Sequence, residues 1–441
     1  MVHPPFLKDI LKIAIPVSLE SVGQLMLGFI DQVMVATLGA IAVAAVGLAN
    51  SITFVFIMAL AGLANASAVL SARAFGAGNH NLLSQLVNVG LLLGLLFSGI
   101  VMVPLWTFST EILQLGSNDP ELTRTADGFL KIMLLALPLM VTGAVCTGVL
   151  RSLSKAKVPL HATLFSMVIN TVLAYLFVFT LQWGVQGAAW ATFAAQLFKA
   201  VYLLIQLYRH PSVHWISITP ARIQETAKDL LPLSVPMMAT ATLWAFSLFL
   251  YNVLLGKMGT HAIAAYQIIR SVEGLFVVWS AGLAAAATTL VGQALGQNNI
   301  PLAQNRVLSI QKTGLLTGAI TGVLFFGASY LLPIFYPKVG ETVLHLAFIG
   351  MIMNSFFQAV KVQNMIHGSA VLPSTGDPRG VLVGDVVSAY LVGLPLAAVL
   401  GLWMGWGLPG VLGAHLFSEL IKLAIFYGRY RRVNWKVLEA A

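Results

Sequence analysis

Charge is what this sequence has least of. Lys, Arg, Asp and Glu make up 9% of its 441 residues, against about 25% in soluble globular domains. With 58% hydrophobic residues the chain has more apolar surface than a water-facing fold can hide, which excludes an ordinary soluble protein. Cysteine is almost missing as well. Cys146 is the single one, so no intrachain disulfide can form and the compartment cannot be read from cysteine usage. It sits inside an apolar stretch and reads as a small core residue. Also lacking are a P-loop, a nucleophile elbow and a zinc motif in a supporting context, which argues against ATP hydrolysis, covalent catalysis and enzyme function in general. Any work the chain does must then be driven by an ion gradient.

What the sequence does have is apolar runs long enough to cross a bilayer. They predict helices over 9–37, 45–72, 83–107, 127–150, 160–182 and 187–208, then 228–256, 265–291, 305–336, 341–366, 378–400 and 408–431. The first run follows Lys8 and Lys12 but continues through Glu20, Gln24 and Asp31 without a small-residue cleavage site. It reads as a retained membrane helix rather than a signal peptide. The net charge of +9 would suit nucleic acid only if the basic residues shared one face, and they are scattered over short loops. They fall on alternate loops: Lys8 and Lys12, Arg73, Arg151 with Lys155 and Lys157, Arg209 with Arg222 and Lys228, Arg306, Arg379, and Arg429 to Lys436. Arg124, Lys257 and Lys338 are the main basic residues on the other side, where Glu111, Asp119 and Glu121 add negative charge. The positive-inside rule puts the first set, and both termini, in the cytoplasm.

The chain also repeats itself. Shifted by 220 residues it pairs Pro16 with Pro236, Gly39 with Gly259, Gly62 with Gly282, Gly76 with Gly296 and Asn79 with Asn299. The offset becomes 215 where Ala174-Tyr175-Leu176 meets Ala389-Tyr390-Leu391, and 223 where Trp183-Gly184 meets Trp406-Gly407. Chance similarity between apolar segments would match leucines, not hold proline and glycine in register. The expected fold is therefore an all-α integral membrane protein of twelve helices in two homologous six-helix bundles. Six is even, so the repeats are parallel, with a pseudo-two-fold axis along the membrane normal and a substrate site between lobes. The lobes are 1–208 and 228–441, joined by a cytoplasmic linker at 209–227. Pro16 and Pro236 each remove a backbone bond near the start of a lobe, leaving the carbonyls of Lys12 and Pro232 free, as a static kink or as a hinge. Gly90 with Gly94, and Gly314 with Gly318 and Gly322, form faces for close helix packing.

Ionisable residues inside a bilayer are costly, so each calls for a reason. Glu20 and Asp31 lie eleven residues apart, about three helical turns, with Gln24 on the same stripe. The first helix should turn this polar face to a wet cavity, with Asp31 as the ion-coupling carboxyl. The second half does not copy it: Tyr251 stands at the place of Asp31, Asp385 at that of Asn170 and His415 at that of Thr192. Asp385 and His415 would make a second titratable pair if the lobes pack alike. Glu273 either forms a local bridge with Arg270 or lines the cation pocket. Lys131, Lys361, Glu419 and Lys422 sit nearer helix ends and read as snorkelling residues without a transport role.

Ala14-Ile15-Pro16 leading to Asp31 and Gly39, Ala42 to Gly47, the segment AATTLVGQALG from Ala286 to Gly296, and Gly376-Asp377 together resemble the multidrug and toxic compound extrusion family. The likeness covers nearly the whole chain. It implies an efflux antiporter whose two lobes rock about a central cavity, with Asn170 and Thr192 close to Asp31 as neutral ion-coupling ligands. It implies cationic or amphipathic small molecules as substrates, held in an adaptable pocket with residues such as Met26, Trp244 and Phe276. The cavity set is then Glu20, Gln24, Tyr251, Glu273, Asp385 and His415. Two family features are missing: the second acid four positions after Asn170 is Ala174, and the glutamate early in the seventh helix is absent from Pro236-Met237-Met238-Ala239-Thr240. One acid with two neutral groups suits a proton better than a hard cation, which needs several oxygens. The expectation is therefore coupling to protons, with sodium the second choice, no cofactor and no certain metal site. A monomer in a bacterial inner membrane, with the lipid bilayer and small molecules as its partners, completes the reading. The alternative is a flippase for a lipid-linked precursor, which would call for a basic cavity.

Overall fold

The computed structural model describes residues 4–116, 119–337 and 339–435; Lys338 and Lys436 lie outside them. Every regular element among these residues is helical. Six long helices come first: α1 (Pro4–Ala36), α2 (Ala40–Gly76), α3 (His80–Thr107), α4 (Pro120–Ser152), α5 (Lys157–Thr180) and α6 (Gly184–Tyr208). Six more follow: α7 (Pro220–Gly256), α8 (Thr260–Gly296), α9 (Ile300–Ser329), α10 (Glu341–Ser355 and Gln358–Ser374), α11 (Pro378–Trp403) and α12 (Gly407–Arg431). All are long and apolar enough to span a bilayer, with α10 a pair bent by 56° at its break. The apolar run did not reveal this bend, since neither proline nor glycine marks it. It falls where Gly322 of α9 comes so close to Ser355 that a Cβ would lie 2.6 Å from its carbonyl oxygen.

Exposure is inverted relative to a soluble protein. Ile100 and Val323 are 71% and 72% exposed, while Glu20 and Asn170 are fully buried. Apolar side chains outside and polar ones inside are what a hydrocarbon solvent selects.

The repeat is written into the backbone. Gly39 and Gly259 precede α2 and α8 at φ 101° and 102°, a region that only glycine enters freely. Asn79 and Asn299 cap α3 and α9 by accepting from the amides of Leu82 and Leu302 at 2.9 and 3.0 Å. α7 starts at Pro220, eight residues before the apolar run, because the Thr219 hydroxyl caps the Arg222 amide at 3.4 Å and the added turns carry charge. Wide π-type turns interrupt α5 at Leu176–Thr180, α10 at His367–Val371 and α11 at Val387–Gly393 and Val399–Trp403. Such widened turns often re-aim side chains at functional sites.

The chain divides into two compact units, Leu19–Met238 and, with Met1–Ser18, Ala239–Ala441. The two cuts lie 220 residues apart (238 − 18), the repeat offset, and each falls two residues after a proline, Pro16 or Pro236. Helices α1 and α7 thus each belong to both units. In the N-terminal unit Gly62 of α2 admits the α7 backbone so closely that a Cβ would sit 2.5 Å from the Met238 nitrogen. In the C-terminal unit Gly282 of α8 does the same for α1, where a Cβ would sit 2.5 Å from the Ala14 carbonyl oxygen. There the Ser18 hydroxyl donates to the Val278 carbonyl at 3.1 Å. Within the N-terminal unit, the segment after α6 is tied to α3. The His214 amide donates to Ser84 Oγ at 2.9 Å, and Asn88 bridges the His214 carbonyl and the Tyr208 hydroxyl at 3.2 and 2.8 Å. His210 in this segment is partly buried, which holds its imidazole below the usual range, with Lys155 and His80 adding to the effect.

Candidate functional site

In the N-terminal unit α1 is docked on α5 at a definite height. Glu20 accepts from the Thr163 hydroxyl at 3.3 Å, and Gly23 lies against Thr163 and Leu164. Eleven residues on, about 16 Å along α1 at 1.5 Å per residue, comes Asp31. Asp31 is half-buried and has no hydrogen-bond or ion-pair partner among the described residues. Asn170 is fully buried one turn below Ala174. Its Nδ2 donates to Thr192 Oγ1 on α6 at 3.1 Å, and Thr192 donates to the Ala188 carbonyl at 3.1 Å. The Asn170 Oδ1 has no partner, leaving a buried acceptor open. The structure thus joins Asn170 to Thr192, while Asp31 makes no hydrogen bond to either.

Glu20 does not face open space. Its carboxylate meets Arg151 Nη2 of α4 at 2.7 Å and Lys199 Nζ of α6 at 4.0 Å, with Gln24 Nε2 at 3.5 Å. One carboxylate between two cations is a closed cluster. Of the stripe expected on α1, Glu20 faces the protein interior and Gln24 is exposed.

The C-terminal unit holds a larger charged group. Glu273 on α8 pairs with Lys361 on α10 and not with Arg270, whose guanidinium lies 6.0 Å over the Tyr266 ring. Asp385 on α11 pairs with Lys422 on α12 at 3.1 Å, and Lys422 also reaches Glu419 at 3.0 Å. Asn364 on α10 donates to Glu419 Oε2 at 2.8 Å. His415 stands edge-on to the Tyr251 ring at 5.1 Å, so its neighbour is Tyr251 and not an Asp385 partner. Tyr251, Asp385, His415, Glu419 and Lys422 line a cavity of about 20 Å³ together with Trp244, room for about one water molecule. Among the described residues no cluster of three His, Cys, Asp or Glu could hold a metal ion.

Three members of this group, Lys361, Glu419 and Lys422, were read in the sequence as snorkelling at helix ends. A signal was present: His415, Glu419 and Lys422 are spaced i, i+4, i+7 and so share one face of α12. The partners on α8, α10 and α11 come from tertiary packing alone.

The model of the MatE family matches the chain twice, over residues 16–176 and 236–399, in step with the repeat. The protein described as multidrug resistance protein MdtK of Yersinia pseudotuberculosis is 26% identical over 413 residues, 90% of this chain and 88% of that one. A probable multidrug resistance protein NorM of Bradyrhizobium diazoefficiens is 29% identical over 441 aligned residues, 94% of this chain and 92% of that one. Among solved structures, a MATE protein crystallised in a bent conformation superimposes with a TM-score of 0.90 at 20% identity, over 99% of this chain and 97% of that one. The fold described above is that of these proteins.

Proposed function

The chain belongs to the MatE family, and from that premise we propose that it is a multidrug exporter of the bacterial inner membrane, driven by protons entering as organic cations leave. The observation that carries the reading is Asp31, a carboxyl within an apolar span with no hydrogen-bond or ion-pair partner among the described residues. An acid in that position is available to a proton or to a cation, and the two compete for one negative charge. Exchange follows from the competition: uptake of a proton on one side releases the cation, and loss of the proton on the other restores the charge. Asn170, with its free Oδ1, and Thr192 offer neutral oxygens in the same unit and no second charge. This supports proton over sodium coupling, because a hard ion needs several oxygens to replace its water. Pro16 and Pro236 serve as hinges, each two residues from the point where its helix passes from one unit to the other. The basic loops keep both termini in the cytoplasm, and the protein works as a monomer. The relatives' designation as multidrug resistance proteins supports small, chemically varied cargo. Within the ion-paired group of the C-terminal unit, Glu273, Asp385 and Glu419 stand against Lys361 and Lys422, and this local surplus of carboxylates favours cations over the anionic headgroup of a lipid-linked precursor.

The test is dye export from proteoliposomes with proton and sodium gradients imposed separately. Wild type should export an ethidium-like cation under an inward proton gradient with choline in place of sodium. Asp31→Asn keeps the shape but cannot titrate, and should abolish export at unchanged protein level. Undiminished export by that variant would remove Asp31 from the mechanism.

A further inference from the structure

Lys312 stands where a hydrocarbon solvent selects against charge. The outward face of α9 runs through Asn305, Leu308, Lys312, Leu315, Leu316 and Ile320, all exposed and spaced as one helical stripe. Leu308 and Leu316, one turn to either side of the lysine, are 47% and 63% exposed. At the shared offset the other half has Leu92 (312 − 220), followed by Leu95 and Leu96 where α9 has Leu315 and Leu316. The fold therefore does not need a lysine at this place, and an ammonium in a lipid-facing stripe is costly unless something answers its charge. Lys312 makes no ion pair or hydrogen bond among the described residues. The ion-paired carboxylates of this unit are engaged elsewhere: Glu273 with Lys361, Asp385 and Glu419 with Lys422, Asp377 with Arg429. Arg306, the other cation in the first half of α9, turns inward and donates to the Leu290 carbonyl of α8.

Lys312 lies twelve residues into α9 (312 − 300), about 18 Å from its start at 1.5 Å per residue. Helical side chains lean toward the N-terminus and a lysine stem is long and flexible, so the ammonium is carried over the preceding turn toward the headgroup layer. On that turn Ser309 is half-buried, and one turn further Asn305 is exposed; neither side chain has a hydrogen-bond partner among the described residues. We propose that these three side chains hold the phosphodiester of an anionic phospholipid, Lys312 by charge and Ser309 and Asn305 as donors, with the acyl chains along Leu315, Leu316 and Ile320. A zwitterionic lipid fits less well, because its own ammonium already answers the phosphate. Free phosphate fits less well too, since the stripe beyond Lys312 is apolar and offers it nothing. The leaflet is the cytoplasmic one in the orientation proposed above, and for that alone the site rests on that reading. The N-terminal unit, with Leu92 here, carries no charge at this place.

Native mass spectrometry of the purified full-length protein in detergent, titrated with phosphatidylglycerol and separately with phosphatidylcholine, counts the lipids retained. It is blind to orientation and to export, so the site and the proton-exchange proposal can fail separately. Wild type should bind its first phosphatidylglycerol more tightly than phosphatidylcholine. Lys312→Leu should weaken that first binding about fivefold, the effect of one lysine near an anionic surface, and leave phosphatidylcholine unchanged. Ser309→Ala keeps every charge and should weaken it about threefold. Arg432→Leu, which removes an exposed charge after α12, should have no effect. Should Lys312→Leu fail to fold, Lys312→Gln reads the same loss. No preference in wild type, unchanged phosphatidylglycerol binding in the Lys312 variant that folds, an equal loss in Arg432→Leu, or displacement of the lipid by excess soluble glycerol phosphate would overturn the proposal.

Discussion

Removing Arg151 should cost this protein more than removing the carboxylate it neutralises. Glu20 is fully buried, with 1% of its side chain exposed, whereas Arg151 keeps 24% of its side chain in contact with solvent. Arg151→Met would leave a buried carboxylate with Lys199 at 4.0 Å, the Thr163 hydroxyl at 3.3 Å and Gln24 Nε2 at 3.5 Å. Breaking a fully buried pair costs about 3–5 kcal/mol. Solvent around Arg151 and the remaining Lys199 reduce this to roughly 2–3 kcal/mol. Glu20→Gln leaves a guanidinium that can turn to water and an amide that still accepts from Thr163, for roughly 1 kcal/mol. In a unit of this size each kcal/mol shifts the midpoint by about 2–4 °C, so Arg151→Met should melt roughly 4–12 °C below wild type and Glu20→Gln roughly 2–4 °C. Scanning fluorimetry of the detergent-solubilised protein at one fixed heating rate reads both, since membrane proteins unfold irreversibly and rates must be compared alike. The double variant should be no worse than Arg151→Met alone, because the stranded charge is gone. Equal midpoints for the two single variants, or a double variant showing their sum, would refute the buried-charge account.

The glycines at the shared offset provide another test. Gly62→Val and Gly282→Val should each lower the amount of folded protein sharply, since a Cβ there meets backbone of α7 or α1 at 2.5 Å, whereas Gly28→Val, with nothing within 4 Å, should not. Fluorescence-detected size exclusion compares the three. Ala174→Asp, which puts a second carboxyl one turn from Asn170 in the N-terminal unit, should make dye export in proteoliposomes respond to sodium; no response would undo the argument from ligand number.

Much of the fold was legible because it depends on local rules applied twice. A proline in a helix, a glycine at positive φ and an asparagine cap each leave a mark at fixed positions, and the marks recur 220 residues on. The ion pairs were harder. Glu273 lies three residues from Arg270 on α8, which made a local bridge plausible, yet packing against α10 brings Lys361 closer. Asp385 could be matched to His415 only by assuming that the halves pack alike, and a π-type turn begins at Val387, two residues after Asp385. The sequence offset changes across the same helix, from 220 to 215 and then 223, but nothing in the residues says how a widened turn re-aims its neighbours. In the N-terminal half, Asn170 and Thr192 could be named from family likeness, whereas the burial of Glu20 could not. Its partners Arg151 and Lys199 are more than a hundred residues away and enter through tertiary contact.

The division of α1 and α7 between units has a consequence for how the chain is made. The unit formed by Ala239–Ala441 includes the stretch through Ser18, which leaves the ribosome first. At about 5–20 residues per second, the intervening 220 residues (238 − 18) take roughly 10–40 s to synthesise. For that time the opening turns of α1 are in the membrane without the glycine surface of α8 that will receive them. The N-terminal unit waits too, since its last turns, up to Met238, are the opening of α7. Two genes cut at the linker would each encode a bundle carrying the other's missing piece, and co-expression should restore the protein only if the halves trade helix tips.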